Sequence, residues 1–493
     1  MVCAATLVAA GAACSGSIVG DPGGVTGAEL GAPVLEILVL AGDDLSVVPA
    51  SVTVDGVSVP VSSNGSAGVA WPEHPVDISV EATGFHPWTQ QLESYPEAGR
   101  IEFRLDPVVL NGRLTTPDGI ALPDARVALG TAEEDQTDEE GMFHIERAAP
   151  GDIVITRPAW KATTVPWDGS TDGIELTMDP LQLKALRVNA EAAGDPSRWN
   201  EILSLADVSA IDAVVVDVKD ETGTVAHDTE VELAHEIGAA KAWYDIDDLL
   251  RDVEEHDLYS IARIVTFQDS PLASAEPEHA VRTADGGLWE TDNGQNWLDP
   301  SDPAAYEYAI DLGEEACRSG FDEVQFDYVT YPFGGPVDQA TFDAEYTEEV
   351  RVASISAFLD RAYTVLSPLE CAVGANVLAI TLESHTDEGV GQRPGAMSRA
   401  IDVLSPMLYT TNYGPGWKGF DDPTAHPVEI VDAALEAGTR KLEGFGYYRP
   451  WLQTWAISDG DVRRVERTAE DLGLGWMLWS TGSDYPADML PPR

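Results

Sequence analysis

GFDEVQFDYVTYP, residues 320–332, reads as a buried strand that carries polar side chains inward. Strand residues alternate between faces, so Gln325 and Asp327 share one face and Phe326 takes the other. Upstream, AAYEYAIDLGEEACRSG has helical periodicity, and downstream VASISAFLDRAYTVL has it again. One apolar strand between two amphipathic helices is the unit of a parallel α/β fold.

The same unit recurs along the C-terminal two thirds of the 493 residues. Eight strands are expected: LKALRVNA (183–190), IDAVVVDVK (211–219), YSIARIVTF (259–267), EVQFDYVTY (323–331), CAVGANVLA (371–379), IDVLSPMLY (401–409), KLEGFGYY (441–448) and GWMLWS (475–480). Eight such units in one stretch predict a closed (β/α)8 barrel over 181–493. A doubly wound open sheet is the rival, and the absence of a Gly-rich dinucleotide loop after the first strand counts against it.

Between Pro33 and Pro180 the pattern changes to short β-rich runs broken by turn residues. They fall into two sets, 33–107 and 108–180, each sized for a small β-sandwich and both built on the same plan. No chemistry is expected before Asp179. Ahead of them lie a Gly-rich stretch, 15–32, that suits a flexible tether and a short apolar leader, 1–14, ending Gly11-Ala12-Ala13-Cys14. That ending resembles a bacterial lipoprotein cleavage box, in which Cys14 carries the lipid. The expectation is an extracellular or cell-surface protein, with a lipid anchor at Cys14 as its link to the membrane. Cys317 and Cys371 are expected to be buried free thiols.

With 85 acidic and 28 basic residues the chain carries a formal net charge of -57, which repels phosphate backbones and argues against nucleic-acid partners. The sequence has no HExxH, no Cys/His zinc spacing, no GxSxG and no Walker loop. No cofactor or metal is expected.

A parallel barrel places its site at the C-terminal strand ends, so polar residues closing an apolar run are the candidates. Asp327 is the first, because an inward carboxylate is costly to bury without a reason; the competing reading is an Asp satisfied by a neighbouring cation, Lys219 or Arg263, in a polar plug. Asp217 is the second; Lys219, two residues on and so on the same face, is expected to pair with it at the barrel mouth. Asp220 and Glu221, before Gly223, read as solvated turn carboxylates. Candidate sugar contacts are Lys219, Arg263, Gln325, Tyr331, Asn376, Tyr409, Tyr413, Trp451 and Trp479, with Trp297, Trp417 and Trp455 among the aromatics expected at the rim. Sugar rings present apolar C–H faces that stack on aromatic planes.

Two family resemblances follow from these residues. GRLTTPDGIALPDARVAL and QTDEEGMFHIERAAPGDIVI resemble the carboxypeptidase regulatory-like β-sandwich, usually a non-catalytic accessory module. AVVVDVKDETG, YSIARIVTFQD, the run from Asn296 to Pro332, VGQ, DVLSPMLYTTNYGPGWKG, RPWLQTW and GWMLWS together resemble a bacterial barrel family of glycoside-hydrolase type whose function is not known. The resemblance implies that Asp327 and Asp217 belong to the site. Asn376 stands where related sequences tend to carry Asp, and Gln268 where Lys is common.

Glycoside hydrolysis generally uses two carboxyl groups, one to protonate the leaving oxygen and one as nucleophile or base. Asp327 and Asp217 are the expected pair, with Glu383 as an alternative second member. The substrate would be a polysaccharide or oligosaccharide. A non-catalytic glycan-binding barrel and a metal-assisted hydrolase are the two competing readings.

Overall fold

The computed structural model describes residues 32–493 apart from 73, 131–132 and 171–172. Cys14 and the leader lie outside the described residues. The chain divides after Pro107 into two compact units.

The first unit is a sandwich of two sheets. One has the strand order Ser66–Ala70, Val34–Ala41, Arg100–Leu105, and the other Val57–Val59, Ser51–Val54, Val76–Glu81, Trp88–Leu92. Alternate residues of the strands, such as Leu35, Ile37, Val39, Ile78 and Val80, fill the space between them.

The second unit opens with a sandwich of the same topology. Met142–Ile145, Leu110–Thr115 and Ile174–Thr177 form one sheet, and Glu133–Gln136, Arg126–Leu129, Gly151–Thr156 and Thr163–Trp167 the other. In both modules the last strand runs parallel to the first. Gly141, at a φ of +75°, closes the turn into Phe143 and Ile145, which point inward. A Cβ on Gly141 would lie 2.3 Å from the Leu114 carbonyl, so the turn has room for glycine alone.

The barrel strands are β1 (Lys184–Val188), β2 (Ala213–Lys219), β3 (Tyr259–Val265), β4 (Glu323–Asp327), β5 (Ala372–Leu378), β6 (Val403–Leu408), β7 (Tyr447–Tyr448 and Trp451–Gln453) and β8 (Trp476–Trp479). All pair in parallel, β8 returns to β1, and β5 pairs with β6, so the sheet is a closed barrel. The seventh strand lies later than KLEGFGYY suggests. Residues 441–446 form a tight approach to the 398–401 backbone, where a Cβ on Gly444 would meet Ser398 at 2.2 Å. Pro450, which has no N–H for the ladder, splits the strand into its two segments.

Helices α1 (Pro196–Val208), α2 (Ile246–Glu255), α3 (Ala304–Ser319), α4 (Glu348–Leu366), α5 (Pro427–Thr439) and α6 (Asp459–Asp471) wrap the outside. Outward strand residues such as Val214, Val216, Ile264, Val324 and Phe326 pack against them, while Ala185, Ala213, Val215, Ile261, Trp451 and Met477 pack together inside. No helix among the described residues is long and apolar enough to cross a membrane.

The second sandwich closes the lower end of the barrel. Ala372, Val403 and Tyr447, at the starts of β5, β6 and β7, join its core, and Arg157 makes a buried ion pair with Asp402. The Tyr447 hydroxyl donates to the Ala159 carbonyl at 2.8 Å. The barrel is thus sealed at the end opposite the one where a site forms.

Cys317 and Cys371 are not free thiols. The end of α3 and the residue before β5 meet at a Cα separation of 5.7 Å and form a disulfide. A bridge across 54 residues contributes about 4 kcal/mol by restricting the unfolded chain. Reducing the protein should therefore lower its Tm by several degrees in a thermal melt, whereas an unchanged Tm would mean that the bridge carries no stability.

Candidate active site

Three inward side chains on β4 set the character of the barrel interior: Glu323, Gln325 and Asp327. A (β/α)8 interior is ordinarily filled by branched apolar side chains. Here the lower level holds an ion pair, Glu323 with Arg449 at 2.9 Å, braced by Tyr447 and Tyr259. Gly374 on β5 leaves the room, since a Cβ there would stand 3.0 Å from the Glu323 carboxylate. Above it Gln325 donates to Ser405, and the Trp451 indole N–H donates to Asn376 at 2.8 Å.

The upper level, at the C-terminal strand ends, is organised by Arg263 of β3. Its Nη1 donates to Asp217 of β2 at 2.9 Å, its Nε to Asp327 of β4 at 2.8 Å, and its Nη2 to both Asp327 and Glu221 at 2.6 Å. Arg187 of β1 grips Asp217 from the other side through Nε and Nη2. The Trp479 ring of β8 lies over both guanidiniums, 3.9 Å from Arg187 and 4.7 Å from Arg263. Each carboxylate therefore has a charged donor, as burial requires.

The backbone contributes at Tyr328, whose φ of +52° is left-handed and unusual for an aromatic residue. That turn aims the Tyr328 N–H back at the free Asp327 oxygen, 2.7 Å away. Left-handed backbone of this kind is retained where surrounding contacts over-determine it. Stacking of Tyr328 on Phe333 is one such contact.

Exposure separates the three carboxylates. Asp217 and Asp327 are each 1% exposed, while 31% of the Glu221 side chain reaches solvent. Glu221 sits in a turn closed by Gly223 N–H to the Asp220 carbonyl, and Gln268 holds it by donating to its carbonyl at 2.7 Å. Burial works to raise the Glu221 carboxyl, but Arg263 and Arg187 outweigh it and hold the group down at about 2. Burial raises Asp217 above the usual carboxylate range against the pull of the same two arginines.

Several expected contacts are placed elsewhere. Lys219 does not share the Asp217 face: the β2 register shifts between the two residues, and Lys219 turns outward to pair with Asp269 at 2.8 Å under α3. Tyr331 lies outside the barrel, bonded to Ser354 and packed on Phe342 and Tyr346. Trp297 is likewise core, boxed in by Trp289 and Phe333. Arg263 is in the site as a hub between carboxylates, and Gln325, Asn376 and Trp451 form the interior layer below it.

Tyr409 and Trp479 do line the mouth with Trp455, their rings 5.0 to 6.4 Å apart. Burial first, and then the Asp327 charge, push the Tyr409 hydroxyl well above its ordinary value, so it stays a neutral donor, and it has no hydrogen-bond partner among the described residues. Tyr413 and Trp417 pack beside the ion pair of Glu383 with Lys418, in the loops after β5 and β6. Among the described residues no three His, Cys, Asp or Glu side chains are arranged to hold a metal ion.

Glu221 is the group that local sequence reading assigned to solvent. Its partner is 42 residues away, beyond the reach of turn chemistry.

Two outcomes follow from the arginine hub. Arg263→Ala leaves two buried carboxylates short of a donor and should cost about 3–5 kcal/mol in denaturant unfolding; a loss under about 1 kcal/mol would show the network to be slack. Because the folded Glu221 carboxyl sits at about 2, below its ordinary 4.5, its stabilisation is complete above the ordinary value and disappears as pH falls towards 2. The stability difference between wild type and Glu221→Gln should accordingly narrow on acidification, and a gap that widens would contradict the assignment.

The family model described as "Putative glycosyl hydrolase domain" matches residues 185–485. Among solved structures, a hypothetical protein from Ruminiclostridium thermocellum is 32% identical, over 38% of this chain and 96% of its own, at a TM-score of 0.36. The glycoside hydrolase domain of PgaB (BpsB) from Bordetella bronchiseptica is 13% identical, over 62% of this chain and 95% of its own, at a TM-score of 0.44. That of PelA from Pseudomonas aeruginosa is 12% identical, over 61% and 96%, at 0.36. No curated protein matches the chain. With a barrel of eight parallel strands and a family match that spans it, the chain belongs to this glycosyl hydrolase domain family.

Proposed function

We propose that the protein is a glycoside hydrolase acting on an extracellular or cell-envelope polysaccharide, through the carboxylates at the ends of β2 and β4. The observation that carries this reading is the convergence of Asp217, Asp327 and Glu221 on one guanidinium at the strand ends, beside the Tyr409, Trp455 and Trp479 rings. Cleavage of a glycosidic bond builds positive charge on the sugar ring, and clustered carboxylates are suited to stabilise it. The disulfide supports an oxidising compartment outside the cytoplasm, in keeping with the leader and with a lipid anchor at Cys14.

A second reading, glycan binding without cleavage, is favoured by a separate observation. Asp217 and Asp327 are clamped on arginines and almost wholly buried, so neither meets a substrate unless the mouth rearranges.

Reducing-sugar release from a panel of polysaccharides separates the two. Wild type should release product, and folded Asp327→Asn, assayed below its Tm, should lose about 10²-fold or more of the turnover. Binding without product in wild type would leave the second reading standing alone, and a fully active Asp327→Asn would remove Asp327 from the chemistry.

A further inference from the structure

We propose that Glu221, in the turn after β2, is the carboxylate that contacts the substrate, while Asp217 acts as a positioning residue that fixes Arg187 and Arg263 beneath it. The proposal rests on the glycosidase reading for its chemistry, and on geometry for the choice of residue.

Charge comes first. The upper level of the barrel holds two guanidiniums, Arg187 and Arg263, and three carboxylates, Asp217, Asp327 and Glu221. With all five ionised one negative charge remains over. The buried members are satisfied within the network: Asp217 accepts from both arginines, and Asp327 from Arg263 and from the Tyr328 N–H. Glu221 alone keeps a substantial face to solvent, so the surplus charge is presented to a ligand there. Burial and the guanidiniums act on its carboxyl in opposite senses, and the guanidiniums prevail, keeping it ionised across the physiological range.

Position comes second. Glu221 Oε1 and Asp327 Oδ2 each lie 2.6 Å from the same Arg263 nitrogen, so those two oxygens are at most twice that distance, 5.2 Å, apart. Carboxyl pairs that act directly on one sugar centre are about 5–5.5 Å apart, whereas pairs that work through an intervening water need roughly 6.5–9.5 Å. Glu221 is therefore close enough to Asp327 to serve the same sugar ring.

A third observation points to a ligand at this place. The Tyr409 hydroxyl, nine-tenths buried beside Asp327 and facing the Trp479 ring, has no hydrogen-bond partner among the described residues. A buried donor left unpaired costs about 1–3 kcal/mol, and a sugar hydroxyl reaching Tyr409 beside Asp327 would satisfy it.

The surplus negative charge also sorts ligands. A sugar with its own carboxylate would meet like charge at Glu221, whereas a neutral or amine-bearing sugar would not. The site should accept uncharged and cationic oligosaccharides and reject uronic-acid ones.

The test uses the full chain with cello-, chitosan- and galacturonan-derived oligosaccharides. Binding is measured by calorimetry and product release by chromatography, for wild type, Glu221→Gln and Asp217→Asn. Glu221→Gln should lower the Tm less than Asp217→Asn does, while losing about tenfold or more in affinity for the ligand that wild type prefers, and about 10²-fold in kcat if that ligand is cleaved. Asp217→Asn should lower the Tm markedly, because two buried arginines lose their shared acceptor. Discrimination against galacturonan oligosaccharides should weaken in Glu221→Gln. Wild-type binding and turnover retained within threefold in Glu221→Gln would overturn the proposal and leave the glycosidase reading intact. Tight binding lost in Glu221→Gln with no product from wild type would uphold the contact and overturn the glycosidase reading instead.

Discussion

The structure of the barrel mouth depends on one guanidinium. Arg263 enters from β3 and is the shared donor for Asp217 on β2, Asp327 on β4 and Glu221 in the turn beyond β2. Three inward carboxylates within a few ångströms would repel one another and pay heavily for lost hydration. With Arg187 on the far side and Trp479 over both cations, the same charges become a rigid, almost neutral layer. Burial of the charges and their gathering at the strand ends thus have one cause.

The lower interior repeats the device with a different outcome. Glu323 and Arg449 pair in a space that Gly374 leaves open, and the second sandwich seals the barrel beneath them through Arg157, Asp402 and Tyr447. Both levels of the interior are charged, but only the upper level has an open side. The second sandwich therefore has a structural effect on the barrel: it removes one end from solvent and leaves the C-terminal strand ends on the other side uncovered by it. Two modules of identical topology precede the barrel, and the second is built into it.

Much of this was legible in the sequence, and the reasons are physical. Period-two and period-3.6 patterns arise from local geometry, so the sandwich strands, the eight barrel units and the inward direction of Gln325 and Asp327 could be read directly. What stayed hidden depends on contacts between distant segments. The register shift that turns Lys219 away from Asp217 has no composition signal, and the splitting of β7 at Pro450 moved that strand later than its apolar run suggests. Tyr331 and Trp297 carry the residue types of a sugar platform, yet they pack outside the barrel wall. Cys317 and Cys371 are brought together only by the neighbouring positions of α3 and β5. Glu221 reads locally as a turn residue because Asp220 and Gly223 dominate its surroundings; its place beside Asp327 is decided by Arg263, which the sequence offers as a partner for Asp327 and as a ligand contact but not as a donor to Glu221.

On the proposed function, sugar binds at the upper face of the barrel, the face that Arg263 organises. A crystal structure of the full chain soaked with an oligosaccharide tests it most directly. Electron density for a sugar ring should appear at the strand ends, with a hydroxyl within hydrogen-bond distance of Glu221 and the ring near Trp479 and Tyr409. Density confined to a sandwich module, with the Arg263 layer undisturbed and closed, would contradict it.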